Sequence, residues 1–194
     1  METRDDIDVA ERLKVLRMAR TLTLDELSAR SGVSRAMISR IERGEASPTA
    51  QLLARLCAAL GQSLSTFFAG AQDAADPLSR RKNQRLWRDP ATGYVRRAVS
   101  PPAGVSTVDI VEVAFPPGAM VAFPPQPVDE GMSQHVWLLE GHLTMTLGDP
   151  AGEGSVHEME PGDCLFMQLA PGHTFHNPHA AAARYAVILN RSKA

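Results

Sequence analysis

Within the stretch GVSRAMISRIERG, helical spacing gathers Arg35, Ala36, Ser39, Arg40 and Arg43 on one face and Met37, Ile38 and Ile41 on the other. The first set has a definite chemistry. A guanidinium can donate two hydrogen bonds to one guanine, and an alanine methyl can meet a thymine methyl. Hydroxyls and further guanidinia can hold phosphates, which orient a protein on the duplex without reading sequence. Such a helix suits the major groove of double-stranded DNA. Arg35 and Arg40, with Ala36 beside them, are expected at base edges. Ser34, Ser39 and Arg43 are expected on phosphates, Ser34 at the positive end of the helix.

The elements that must position this face are legible around it. Residues 23–44 read as two short helices joined by a tight turn. Thr23 and Glu26 fit a capping box at the first start, and Thr23 joins the residues expected to face DNA. Gly32 lies at the turn, where positive φ is expected. Ser34 can cap the second helix and Gly44 can end it. A helix over about Ile7 to Arg20 precedes them, with Val9, Leu13 and Leu16 inward. Ser47-Pro48 is a start signal for a fourth helix running to about Leu60, with Leu53, Leu56 and Leu60 inward and Gly61 as its stop. Ser63 can cap a short fifth helix ending at Phe67 and Phe68.

The segment from about Ile7 to Phe68 resembles the XRE-type, lambda-repressor-like helix-turn-helix family, most tellingly in GVSRAMISRIERG and in LARLCAALG after SPT. The resemblance implies a five-helix DNA-binding bundle. It also implies an ion pair between Arg17 and Glu42, which stand where the family has one. Leu24 stands where the family usually has a phosphate-gripping Gln, and Ser28 where it usually has Ala.

Composition sets the outer bounds. The 194 residues are 44% hydrophobic and 22% charged, a globular balance, and aromatics make up only 5%. No apolar run approaches the ~20 residues of a membrane span. The opening METRDDID is acidic and polar, unlike a secretory signal, so a cytoplasmic location is expected. Cys57 and Cys164 fall in different halves, and no disulfide framework is expected. The net charge of −2 hides a division. Residues 1–70 carry 10 basic and 9 acidic side chains, residues 71–100 carry 7 and 3, and residues 101–194 carry 3 and 10. Phosphate repulsion keeps the acidic last part off DNA. All six histidines lie there.

After Ala69 the stretch AGAQDAADPLSRRKNQ is small and polar and reads as a linker, assigned to 71–85 between domains at 1–70 and 86–194. Its basic run RRKNQR suits a solvated face or a DNA-backbone contact equally. From Leu86 onward VRRAVS, TVDIVEVAF, HVWLLEGHLTMTLG, SVHEM, DCLFMQLA and ARYAVILN are short β-rich runs between Pro and Gly, as in an antiparallel sandwich or barrel. In LWRDPATGY two turn dipeptides, Asp89-Pro90 and Thr92-Gly93, allow Trp87 and Tyr94 to face each other across a hairpin. Packing is the favoured role for that pair, and a place at the domain junction is the alternative.

Residues from about Val95 to Asn190 resemble the cupin family, a small jelly-roll barrel. The likeness rests on Gly118 and Gly141 and on Gly162, His173 and Asn177 within EPGDCLFMQLAPGHTFHN. The family's first motif also carries a His-x-His pair and a Glu. Here Pro127, Val128, Asp129 and Glu130 stand where the pair belongs, and Gln134 where the Glu belongs. One imidazole, one amide and a loop carboxylate make a poor site for iron, manganese or zinc. No metal, cofactor or catalytic residue is therefore expected. His135 and His176 have the wrong strand parity for the interior, and His142, His157 and His179 read as surface groups.

A barrel without a metal can still take a small molecule. The resemblance makes Gln134 and His173 its anchors, and strand parity adds Val136, Leu138 and Phe175. The expected fold is α+β and multidomain, a five-helix helix-turn-helix bundle followed by an all-β cupin jelly-roll barrel. The expected function is transcriptional regulation by a DNA-binding homodimer, with a small-molecule effector of unknown identity in the cupin-like half. A metal-dependent cupin enzyme that carries a helix-turn-helix domain is the rival.

Overall fold

The computed structural model describes residues 8–69, 76–101, 106–123, 125, 132–148, 154–169 and 172–190. The expected loop positions Pro127, Val128, Asp129 and Glu130 lie outside the described residues, as do residues 71–75 of the expected linker.

Five helices open the chain, each started by a local polar group. In α1 (Val9–Ala19) the Asp8 carboxylate accepts the Glu11 N–H at 3.0 Å. In α2 (Leu24–Ser31) the capping box forms in both directions, and Gly32 ends the helix at φ 65°. Ser34 caps α3 (Arg35–Glu42). Ser63 starts α5 (Leu64–Ala69) by accepting the Thr66 N–H at 3.0 Å. The start of α4 (Ala50–Ala59) differs from expectation, because Thr49 rather than Ser47 is the cap and Pro48 lies before the first turn. The cap is local, Thr49 accepting the Leu52 N–H at 3.3 Å, and a tertiary contact adds to it. The Ala50 N–H is taken by the Asp89 carboxylate, 39 residues away, at 2.8 Å. Leu13, Leu27, Ile38, Ile41, Leu53 and Leu56 close the bundle core with essentially no exposure. Each such side chain contributes roughly 1.5–3 kcal/mol by leaving water.

The β-rich half forms two antiparallel sheets. Its strands are β1 (Leu86–Arg88), β2 (Val95–Ala98), β3 (Val108–Phe115), β4 (Met120–Phe123), β5 (Ser133–Glu140), β6 (Leu143–Leu147), β7 (Ser155–Met159), β8 (Cys164–Gln168), β9 (His173–His176) and β10 (Ala183–Asn190). One sheet has the order β1-β2-β3-β10-β5-β8 and the other β4-β9-β6-β7. Period-2 burial along β3, β5 and β10 turns one face of the larger sheet inward. Among the described residues the hydrogen-bonded ladders stay in two sheets rather than closing into one barrel. The jelly roll is thus a sandwich in its pairing. The short strand β4 had no readable signal, since four residues next to Pro and Gly cannot display alternation.

The halves are not beads on a string. An aromatic run, Phe68–Trp87–Tyr94–Phe115–Tyr185, passes from α5 into β10 with successive ring centroids 5.1, 5.8, 5.7 and 6.0 Å apart. Trp87 and Tyr94 do face each other across the β1–β2 hairpin, and they also form the domain junction. The end of the polar segment is held too. A 3-10 turn at Arg81–Asn83 leads to Gln84, whose side-chain amide donates to the Ser79 and Val99 carbonyls. Arg81 reaches Glu112 of β3 at 3.4 Å. Cys57 is buried, Cys164 is exposed, and both are free thiols. Among the described residues no helix is long and apolar enough to cross a membrane.

Candidate functional sites: a DNA-reading helix and an interdomain cavity

Helix α3 presents the expected two faces. Ile38 and Ile41 are buried, while Arg35, Ala36, Arg40 and Arg43 are exposed and Ser39 is half-buried. Ser34 and Thr23 are exposed at the starts of α3 and α2, with hydroxyls already accepting the Met37 and Glu26 N–H groups. Behind the face, Arg17 grips Glu42 through two hydrogen bonds of 2.7 and 2.8 Å and donates a third to the Leu22 carbonyl at 2.8 Å. That contact ties α1 to the end of α3.

The basic groups on this face are partly engaged within the chain, which the sequence did not announce. Arg43 makes a two-pronged pair with Glu45, at 2.6 and 2.8 Å, and also donates to the Ser39 hydroxyl. Those hydrogen bonds hold the Glu45 carboxyl below its usual range. Arg35 pairs with Asp25 of α2 at 3.2 Å, both groups being well exposed. Each of these two arginines thus has a carboxylate partner within the chain.

The second site is a cavity of about 60 Å³ between the helical bundle and the two sheets. Of the residues expected to hold an effector, Gln134, His173 and Phe175 line it. Val136 and Leu138 do not. They face inward as their parity requires but are fully buried, opposite Val187 and Tyr185 of β10, and lie outside the cavity wall. Parity gives the face of a strand, not the depth at which packing closes. Tyr94, Arg96, Phe115 and Tyr185 are among the further residues on the β side of the wall; Ala54 lies on α4, Leu64 on α5, and Ser63 just before α5. Tyr94 and Arg96 stand two residues apart, so they share one side of the chain, but the sequence reading did not single out Arg96. No local pattern could place α4 and α5 there. Burial raises the Tyr94 phenol to about 12 against the opposing influence of Arg96, so it remains a neutral hydroxyl.

Among the described residues the interior between the sheets offers no donor set for a divalent metal. The Gln134 amide nitrogen donates to the Met167 sulfur at 3.4 Å, and the His173 ring stacks on Phe123 with centroids 5.0 Å apart. Among the described residues no three His, Cys, Asp or Glu groups converge. One imidazole and one amide supply too little charge to offset dehydration of such an ion. His135 lies on the outer face beside Phe166. His142 and His179 form an exposed ring pair at 4.8 Å. His157 bonds Ser155, and His176 is half-buried in β9 opposite Met120 and Thr144.

Comparison with known proteins agrees with this division. Residues 13–67 match the family model HTH_3, described as helix-turn-helix. The chain is 28% identical over 133 residues to the HTH-type transcriptional regulator SutR of Escherichia coli (strain K12), covering 69% of each. It resembles the crystal structure of an HTH_3 family transcriptional regulator from Vibrio cholerae, with 25% identity, 96% of each chain covered and a TM-score of 0.73. The fold is shared as well with the iron(II) form of HppE, at 18% identity, 95% and 98% coverage and a TM-score of 0.50. Residues 13–67 thus match a helix-turn-helix domain, and over 96% of its length the chain shares the fold of an HTH_3 family transcriptional regulator.

Proposed function

We propose that this protein is a sequence-dependent DNA-binding regulator of transcription whose cupin-like domain senses a small molecule. The observation that carries the DNA-binding reading is the outward face of α3, where Arg35, Ala36, Ser39, Arg40 and Arg43 are offered while Ile38 and Ile41 hold the helix in the bundle. Arg35 and Arg40 read base edges beside Ala36. Thr23, Ser34, Ser39 and Arg43 hold the backbone, and displacement of Asp25 and Glu45 accompanies docking. The sensing reading is supported by the interdomain cavity, a mostly apolar space with a few polar groups.

The working unit is a homodimer in the cytoplasm. One recognition helix spans few base pairs, so paired half-sites about one helical turn apart need a second copy. The surface that suits it is the outer face of the larger sheet, where Ile110, Trp137 and Phe166 are exposed on β3, β5 and β8. The role is regulatory rather than catalytic. The rival, a metal-dependent enzyme, needs donors that the Gln134–His173 interior does not supply.

Selection of bound fragments from random duplex DNA, followed by titration at several salt concentrations, tests the reading. A recurrent paired motif bound far above bulk DNA is expected. Equal affinity for all duplexes, or none at moderate salt, overturns it.

A further inference from the structure

We propose that His142 and His179 form a two-imidazole surface site for a divalent transition-metal ion of the nickel or zinc class. The pair lies on exposed turns of the β-rich half, separate from the interior around Gln134 and His173. Ring spacing is the first observation. The two imidazoles are tilted by 37° with centroids 4.8 Å apart. A metal ion sits about 2.1 Å from a ligating imidazole nitrogen, hence roughly 3.2 Å from the ring centre. Two imidazoles on one ion, at an angle between about 90° and 109°, then have centres roughly 4.5–5.2 Å apart. The observed spacing lies inside that range. Among the described residues neither ring makes a hydrogen bond that an ion would have to break.

The backbones that carry the rings are fixed. His142 follows Gly141, the turn between β5 and β6, where φ is 78°. A Cβ on Gly141 would meet the Ala182 carbonyl oxygen at 2.5 Å, so the turn packs directly on the chain entering β10. His179 lies in the loop between β9 and β10. Its N–H donates to the Asn177 side-chain oxygen at 3.1 Å. The Asn177 amide nitrogen, on a fully buried residue, donates in turn to the Pro116 and Ala181 carbonyls at 3.1 and 2.9 Å. Two donors far apart in sequence are thus held side by side before any ion arrives. Such preorganisation lowers the entropic cost of chelation.

Charge and ligand type set the class of ion. Residues 101–194 carry 3 basic and 10 acidic side chains, a balance that gathers cations. Arg184, two residues beyond Ala182, is paired with Glu140 and Glu112. Imidazole suits zinc, copper and nickel, whereas magnesium and calcium demand oxygen ligands. Among the described residues no third His, Cys, Asp or Glu joins the pair, so water completes the shell and the ion stays exchangeable. A bound ion clasps the β5–β6 turn to the β9–β10 loop and stabilises the β-rich half by binding the folded state alone.

The test titrates untagged full-length protein with nickel, zinc, manganese and magnesium chlorides in a non-coordinating buffer, read by calorimetry and by melting temperature. Nickel and zinc should each bind saturably, one ion per chain, and raise the melting temperature. Manganese should bind at least about tenfold more weakly than nickel, and magnesium not at all. His142→Gln and His179→Gln should each lower nickel affinity at least about tenfold, and the double variant little further, because the two rings act as one chelate. Both side chains are exposed, so these variants keep the fold. His157→Gln, which alters an exposed histidine elsewhere, should bind as the parent does. The exposed Cys164 thiol is the competing donor, and Cys164→Ser should leave nickel binding intact. No saturable binding of nickel or zinc overturns the proposal. So does binding lost in Cys164→Ser but kept in His142→Gln and His179→Gln. Equal small losses in every histidine variant, His157→Gln included, reveal dispersed weak contacts and overturn it as well.

Discussion

The Asp89 carboxylate accepts the Ala50 N–H at 2.8 Å, so a β-hairpin supplies the first turn of α4 with a second side-chain acceptor beside its local Thr49 cap. The contact joins the halves at a point where the helix dipole favours a negative charge. Asp89→Ala is expected to cost about 1–2 kcal/mol. It should also separate the melting of the bundle from that of the sheets. Calorimetry that shows one unsplit transition at the parental temperature would refute this.

Arg17 and Glu42 are mostly shielded from water, at 15% and 8% side-chain exposure, and each is left without its partner if the other is removed. Glu42→Gln should therefore destabilise the protein by about 3 kcal/mol. It should weaken DNA binding further by loosening the tilt of α3. A denaturation midpoint equal to the parent's would show the pair to be dispensable.

On DNA, Arg35→Ala and Arg40→Ala should each lose about 1–3 kcal/mol of discrimination between a selected operator and a mutated one. Arg43→Ala should weaken both sequences alike and reduce the salt slope by about one. Identical losses on both duplexes for all three variants would reduce Arg35 and Arg40 to backbone contacts.

Because Asp25 and Glu45 occupy Arg35 and Arg43 in the free protein, Asp25→Asn and Glu45→Gln should tighten binding to non-specific duplex and narrow the specificity ratio. The Glu45 carboxyl is held below its usual range by the hydrogen bonds from Arg43, so its pair persists through that range and is lost only as pH falls below it, through the lowered folded value. Non-specific binding should accordingly rise on acidification in the parent, and less so in Glu45→Gln. Filter binding across pH measures this directly.

Trp137 stands at the middle of the exposed apolar face, between β10 and β8. Trp137→Glu should yield monomers by light scattering and lower operator affinity by about two orders of magnitude through loss of paired binding. A dimer that survives Trp137→Glu places the second copy elsewhere.

Much of the helical domain could be read from residues alone, because its signals are local. The Thr23–Glu26 cap, the Gly32 turn and the spacing of Ile38 and Ile41 act within one or two turns of chain, and they appear where expected. The family likeness placed the Arg17–Glu42 pair. The absence of a His pair and the inward parity of Gln134, His173 and Phe175 could likewise be read along a strand. What tertiary structure decided was whatever depends on residues far apart in sequence. The first turn of α4 takes a further acceptor, Asp89, from a hairpin distant in sequence. Val136 and Leu138 drop out of the cavity wall because packing depth, unlike facing, is set by the opposing elements. Arg96, Ser63 and Leu64 share one cavity because the bundle docks on the β domain through aromatic stacking, a contact that has no period and therefore leaves no local pattern.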